Sequence, residues 1–359
     1  MENNTVRLGD LATYVNGYAF KPSDWGDKGL PIIRIQDLTG NSYQLNRYDG
    51  AYPTRIEVND GDVLISWSAS LGIYVWQRGK ALLNQHIFKV VFDKLPIDKD
   101  YFVFAVEHKL AEMESKTHGA TMKHIVKKDF DSTSIPYPAI EEQTEIAERL
   151  RRITTLIEKQ KEQLLLLDQL VKSRFIELFG DPQSNPYGYQ YAKLSDIATY
   201  FNGLTYKPEN VAEEGTIVLR SSNIQNSQLD FADTVRVDCA IKERLMVQEN
   251  DILMCSRNGS AKLVGKVALI KGIEEPMSFG AFMMIIRSQY FGYLMTYFQM
   301  DAFRQQIKTG ATTTINQITG RMLDEVTIPV PPMALVEQFA AFIEQTDKSK
   351  LCGGMEVAA

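Results

Sequence analysis

The stretch EEQTEIAERLRRITTLIEKQKEQLLLLDQLVKSRFIELFG, Glu141 to Gly180, decides the architecture. Its apolar residues fall at Ile146, Leu150, Ile153, Ile157, Leu164, Leu167, Val171 and Leu178, in steps of four and three, with Gln160 and Arg174 as the polar members of the row. A rhythm of about 3.5 residues is a coiled-coil seam, because a strict seven-residue repeat keeps one stripe facing a partner helix. Neither Gly nor Pro interrupts it, and Glu141, Glu142 and Glu145 sit at its start, where the helix dipole favours negative charge. Gly180 followed by Pro182 is a C-terminal stop signal. At about 1.5 Å per residue the helix is on the order of 50 Å long, too long for one compact core. It reads as a spacer.

The chain around it has 359 residues, 44% of them hydrophobic, enough for about two domains with cores of their own. No apolar run approaches the roughly 20 residues that span a bilayer, and MENNTVRLGD has neither the basic nor the apolar region of a signal peptide. Cys239, Cys255 and Cys352 stand far apart with no pair or metal spacing, which fits a reducing cytoplasm and no membrane. The net charge of −6 argues against a generic polyanion binder.

On either side of the spacer the same unit is written twice, at an offset of about 190 residues. RLGDLATYVNGYAFKP (Arg7–Pro22) returns as KLSDIATYFNGLTYKP (Lys193–Pro208). GLPIIRIQDL (Gly29–Leu38) returns as GTIVLRSSNI (Gly215–Ile224), with Arg34 opposite Arg220. GDVLISWSAS (Gly61–Ser70) matches NDILMCSRNG (Asn250–Gly259), and KTHGATMKHI (Lys116–Ile125) matches KTGATTTIN (Lys308–Asn316). IPYP (Ile135–Pro138) matches IPVP (Ile328–Pro331), and EEQTEIAERL matches VEQFAAFIEQ (Val336–Gln345). Short β-branched runs such as PIIRIQDL, DVLISW and HIFKVVF predict strands, and 101–115 and 290–307 predict helices. Each copy is therefore a mixed α/β globule, at 1–140 and 181–332, followed by a helix at 141–180 and at 333–359.

Two homologous readers on a spacer suit a DNA site read in two places, roughly 34 Å or a multiple apart. Neither copy is basic overall, but the acids are unevenly placed. Val63–Phe92 holds Arg78, Lys80, His86 and Lys89 and no acid; its counterpart Ile252–Ile273 holds Arg257, Lys262, Lys266 and Lys271 and no acid. Lys116–Lys128 and Ala302–Leu323 are acid-free as well. One positive face per globule, with phosphates as partner, is one reading; strands buried in a core are the other. The candidate contacts in the first copy are Tyr18, Lys21, Arg34, Ser66, Trp67, Ser68, Lys80, His86, Lys116, Thr121, Lys123 and His124. In the second they are Tyr206, Lys207, Arg220, Ser256, Arg257, Asn258, Lys262, Lys308, Thr312, Thr313 and Asn316. Hydroxyls, amides and guanidinium groups of this kind meet phosphates or base edges. Asn16–Gly17 with Tyr18, and Asn202–Gly203 with Tyr206, read as exposed turns carrying an aromatic.

The ordered recurrence of LGDLATYVNG and LSDIATYFNG, the GAT loops, the IPYP and IPVP closers and the SRFIELFGDP exit resembles the specificity subunit of type I restriction–modification systems along nearly the whole chain. The resemblance implies two target-recognition domains joined by long antiparallel coiled-coil helices in a pseudo-two-fold repeat, each domain reading one half of a split site on double-stranded DNA. It implies that the helices set the gap and dock two copies of the modification subunit, with restriction subunits joining through the complex. S-adenosylmethionine and ATP with Mg would belong to those partners, with no cofactor and no metal in this chain.

Catalysis finds little support in the residues. NPYG (Asn185–Gly188) lacks the second proline of an amino-methyltransferase motif, and there is no GxGxxG. Asp98 with Glu107 and Lys109 makes only a loose nuclease pattern, and His86, His108, His118 and His124 show no zinc spacing. A protein-binding coiled-coil adaptor explains the spacer equally well but not the repeated loops. Against the family pattern, the second helix turns after Lys350 to LCGGMEVAA, where two glycines predict its end and roughly 20 residues of the seam are expected to be missing. Antiparallel pairing sets Val336 opposite about Leu178 and Lys350 opposite about Leu164, leaving Ile146, Leu150, Ile153 and Ile157 without cover. The purified chain is expected to self-associate through this row at tens of micromolar, or to need its modification partner for solubility. Sedimentation should show the association abolished by Leu150→Glu, and a strictly monomeric chain that binds no hydrophobic dye would contradict it.

Overall fold

The computed structural model describes residues 4–40, 46–116, 126–307 and 316–358. It divides into two compact units, Met1–Ile157 and Glu158–Ala359, built on one plan. In the first, Thr5–Arg7 pairs antiparallel with Ser134–Pro136, Val6 opposite Ile135, so the ends of the repeat close on each other. Between them lies an antiparallel sheet in the order Thr13–Asn16, Ile87–Val91, Val63–Ser66, Gly72–Val75. A second sheet runs Arg47–Tyr48, Leu30–Ile33, Ala81–Leu83, Glu57–Val58, with Leu30–Ile33 and Ala81–Leu83 parallel.

The second unit repeats these pairings: Tyr191–Lys193 with Thr327–Pro329, and Thr216–Leu219 parallel to Met277–Phe279. Its antiparallel sheet runs Thr199–Asn202, Met283–Arg287, Ile252–Cys255, Val267–Leu269.

Strand Val63–Ser66 explains why its neighbourhood carries no acid. Successive side chains of a strand point to opposite faces. Val63 and Ile65 enter a core with Phe88, Phe102 and Phe130, while Leu64 enters another with Ile32, Trp76 and Leu82. Ile252–Cys255 does the same, Ile252 and Met254 on one face, Leu253 and Cys255 on the other. A strand buried on both faces has no position for a carboxylate. The acid-free run is therefore core at its central strand, and its turns, Val91 and one half-buried strand, Gly72–Val75, reach the surface.

The central helix is Ile140–Phe179, 40 residues. At its start Gln143 is buried, accepting from the Asp98 amide (3.0 Å) and donating to the Pro138 carbonyl (2.8 Å). Asp98 in turn accepts from the amides of Asp100 and Tyr101 and from Thr144, so the carboxylate of the loose nuclease pattern serves as a helix cap. At the helix end Gly180, at φ +74°, donates to Ile176 O; a β-carbon there would lie 2.4 Å from Pro186 Cγ.

In the second unit, Phe175 and Phe179 of this helix meet Tyr293 and Phe339 with ring centroids 5.0–5.7 Å apart. Phe339 belongs to the closing helix, Met333–Ala358, which runs antiparallel to the central one: Arg174 stacks on Phe342 and Lys350 Nζ reaches Asp168 at 2.8 Å. The partner of Lys350 thus lies one turn from the expected Leu164. Burial works against the charge of Lys350, but Asp168 and Asp347 outweigh it and hold the ammonium pKa above its ordinary value. Of the seam residues, Val171 and Leu178 pack into this core and Leu164 and Leu167 are half-buried. In the first unit Leu150 is exposed and Ile153 is 52% exposed, while Ile146 and Ile157 are half-buried.

Four expectations change. The closing helix passes through Gly353 and Gly354 to Ala358 rather than ending there; glycine costs a helix about 1 kcal/mol but, unlike proline, removes no hydrogen bond. The 290–307 run is two helices, Phe291–Tyr297 and Asp301–Gln306. The run Pro31–Leu38 leaves its strand at Ile33 and turns into a short helix, Ile35–Leu38. The match of EEQ to VEQ is two residues out of register: each helix starts five residues beyond the Ile of IPYP or IPVP, which places Gln143 level with Val336, both buried.

Removing one ring from the aromatic cluster should loosen the second unit alone. Phe339→Ala is expected to cost about 3–5 kcal/mol. Hydrogen exchange should rise across 291–297 and remain unchanged across 63–66.

Candidate nucleic-acid interface

In each unit, loops from distant parts of the sequence meet at one end of the two sheets. The first meeting is a main-chain crossing. After Thr13–Asn16, Gly17 N donates to Ile87 O (3.2 Å), Tyr18 N to Leu83 O (2.8 Å), and Gln85 N donates back to Tyr18 O (2.9 Å). A β-carbon on Gly17 would lie 1.9 Å from Asn84 O. In the second unit Gly203 N donates to Met283 O and Leu204 N to Phe279 O, and a β-carbon on Gly203 would lie 2.2 Å from Gly280 O. The Asn-Gly pairs are thus not exposed turns but tight crossings that require glycine. The residue at Tyr18's place is Leu204, which makes the same bridge, and Tyr206 takes the place of Phe20, half-buried. Tyr18 itself is exposed, its ring edge-on to Phe20.

The second meeting joins the turn after the central strand to the turn after the parallel strand. Trp67 N donates to His86 O (3.3 Å) and Arg257 N to Phe282 O (3.1 Å). The side chains at these four positions are therefore neighbours. Trp67 lies 5.0 Å from the His86 ring and stacks on Phe88 at 5.5 Å, while Arg257 lies 5.4 Å over Phe282. His86 is held at φ +70°, and its buried Nδ1 has no hydrogen-bond partner among the described residues. Asn84 N donates to Ile33 O and Gly280 N to Leu219 O, which brings the following Arg34 and Arg220 to the same end.

Both arginines are already engaged. The Arg34 amide donates to Asp37 (2.8 Å), and its guanidinium stacks on Trp25 at 5.3 Å with Nε 3.7 Å from Asp37. Arg220 forms an ion pair with Asp233 at 2.8 Å. In the second unit a third loop joins: Arg257 bridges Gln317, Asn258 N donates to Asn316 O, and Ile318 N donates to Ser256 O.

Several candidates point elsewhere. Ser66 ends a buried strand and Ser256 directly follows one, and their hydroxyls donate to Ser70 O (2.6 Å) and Phe282 O (2.9 Å); neither faces solvent. Asn258 donates its amide to Ser221 Oγ and accepts from Ser260 N, and Asn316 donates to Gly259 O, so these amides hold the loops. Lys80 precedes its strand, at the end opposite His86, and pairs with Glu57 at 3.0 Å. The hydrogen bond from Lys80 is the main reason the Glu57 carboxyl sits below the usual carboxylate range. Lys207 Nζ lies 3.4 Å from Glu209. Ser68 is half-buried; Lys21 and Lys262 are exposed. Thr121, Lys123, His124, Lys308, Thr312, Thr313 and the Lys116 side chain lie outside the described residues.

Sequence reading missed Trp25 and above all Phe282, which is 60% exposed. Aligning MSFGAFMM with ALLNQHIF would have placed Phe282 opposite His86. Among the described residues no group of three His, Cys, Asp or Glu side chains has metal-holding geometry, and no helix is long and apolar enough to cross a membrane.

The repeated fold and its loop ends define a class. The family of the type I restriction modification DNA specificity domain matches residues 1–167 and again 186–351, and the chain belongs to that family. It is 24% identical over 305 residues to the type I restriction enzyme EcoBI specificity subunit of Escherichia coli, covering 76% of this chain and 62% of that one. It is 24% identical over 291 residues to the MjaVIII specificity subunit of Methanocaldococcus jannaschii, covering 76% of this chain and 67% of that one. The chain thus spans about two thirds of those relatives or less. Among solved structures, the type I restriction–modification S subunit from M. genitalium superposes with a TM-score of 0.59 at 15% identity, over 99% of this chain and 92% of that one.

The crossing glycines make a direct test of how the loop ends are held. Gly203→Ala should cost about 1–3 kcal/mol by overpacking and displace the 280–282 turn, read as a lower melting temperature and faster exchange at Met283.

Proposed function

We propose that this chain is the DNA-specificity subunit of a type I restriction–modification complex and is not itself catalytic. Residues 1–140 and 181–332 would form the two target-recognition domains, each reading one half of a bipartite site on double-stranded DNA. The helices at 141–180 and 333–359 would set the spacing and dock the modification subunits, two copies in the complete enzyme, with restriction subunits joining through them. S-adenosylmethionine and ATP with Mg would be bound by those partners, and the assembly would act on DNA in the cytoplasm as a site-specific methyltransferase and endonuclease.

The observation that carries this reading is the recurrence, in both units, of loops gathered at the same end of the same two sheets, around Tyr18, Arg34, Trp67 and His86 and around Arg220, Arg257, Phe282 and Asn316. An adaptor that binds only protein through its helices has no use for that recurrence. The family and its named relatives support the same conclusion.

Methylome sequencing of cells with and without the gene, in the presence of working modification subunits, should reveal a split motif of two short blocks separated by unspecified bases. An unchanged methylome would refute the assignment. Charge changes should then separate the cations by role. Lys262 is exposed and makes no ion pair among the described residues. Lys262→Ala should weaken binding to all sequences alike and lower the slope of log affinity against log salt by about one. Lys80→Ala, at the opposite end of its strand and tied to Glu57, should leave that slope unchanged.

A further inference from the structure

We infer that Arg257 reads a guanine in the half-site of the second unit, and that Phe282 is the positioning residue that holds its guanidinium for that contact. The inference rests on the proposed function and adds a base identity to it.

Arg257 stands apart from the other arginines at the loop ends. Arg34 is stacked on Trp25 beside Asp37, and Arg220 is paired with Asp233. The guanidinium of Arg257 is exposed, makes no hydrogen bond or ion pair among the described residues, and lies over the face of Phe282, 5.4 Å away. An exposed ring with a free guanidinium laid over it does two things. It fixes the plane of the fork without occupying its N–H groups, and it removes rotamer freedom before any ligand arrives.

The backbone under the pair is fixed too. Arg257 N donates to Phe282 O, Ser256 N donates to the same carbonyl, Ile318 N donates to Ser256 O, and Arg257 bridges Gln317. A planar, preorganised fork with five free N–H donors fits the O6 and N7 acceptors that only guanine presents together in the major groove. The neighbouring amides do not compete, because Asn258 and Asn316 are spent within the loops. The equivalent position in the first unit is Trp67, half-buried and stacked on Phe88, so this contact belongs to one half-site only.

The test is selection from a randomised duplex pool by the full chain co-purified with its modification subunits. Wild type should enrich a split motif with a fixed guanine at one position of one block. Arg257→Ala and Arg257→Lys should each erase that preference, on the order of tenfold to a hundredfold, while every other position and the salt slope stay as in wild type. Phe282→Leu, which keeps the apolar bulk but not the ring face, should weaken the preference several-fold, and Phe282→Tyr should restore it. A uniform loss across sequences in Arg257→Ala, with the salt slope down by one, would make Arg257 a phosphate contact and overturn the inference. So would an unchanged profile in Arg257→Ala, a motif with no guanine that depends on Arg257, or a Phe282→Leu profile identical to wild type. Those outcomes leave the split motif, and with it the proposed function, intact; a wild-type chain that enriches no split motif overturns both.

Discussion

Each unit depends on a two-stranded clasp. Three residues from the start of the repeat pair with three from its end, Val6 opposite Ile135 and Ala192 opposite Ile328. Closing more than a hundred residues into a loop carries an entropic cost that rises only slowly with length, so a short ribbon with a buried Ile at its centre suffices. The clasp leaves the long helix to start where the globule closes. In the first unit Gln143 joins the two, bonding the Asp98 amide and the Pro138 carbonyl. In the second, Val336 at the same place joins them by packing. One position, polar in one copy and apolar in the other, does the same mechanical task by different chemistry.

The strands behind the clasp follow from burial on two faces. Val63–Ser66 and Ile252–Cys255 divide their side chains between two cores. A partly buried ion pair ties the two central strands of the antiparallel sheet in the second unit: Arg287 donates to both oxygens of the buried Asp251 at 2.7 and 2.8 Å. Asp62, the residue equivalent to Asp251, keeps the turn-closing bond to a backbone amide, Asn59 N in place of Gln248 N. The position of Arg287 is Val91 in the first unit, so the guanidinium is an addition of the second.

Much of this was legible in the chain. The repeat, the central helix to within one residue and the antiparallel pairing of the two helices follow from spacing and recurrence. Less legible was which way a polar residue faces. Ser66 and Ser256 look like loop hydroxyls by composition, yet Ser66 is the last residue of a buried strand and bonds Ser70 O in its own turn, while Ser256 directly follows one and bonds Phe282 O in the neighbouring turn. Lys80 lies within six residues of His86 in sequence, but a strand between them carries it to the opposite end of the sheet. Phe282 escaped because GAFMMII has the composition of a strand, and only the pairing shows that the strand begins after it, at Met283. Pattern gives the period of a segment; it does not say where the last buried residue falls.

The turns at the loop ends are held by main chain. Trp67 N to His86 O, and Arg257 N to Phe282 O, are bonds that any residue except proline can make. Apart from the left-handed φ of +70° at His86, which disfavours β-branched residues there, the side chains at those four places matter little to whether the turn forms. Replacing one pair by another, tryptophan and histidine by arginine and phenylalanine, changes what the end of the sheet offers a ligand while drawing little on folding stability. The two copies within this chain already record one such replacement. Positions of this kind can drift quickly under selection, and the scaffold beneath them can stay as it is.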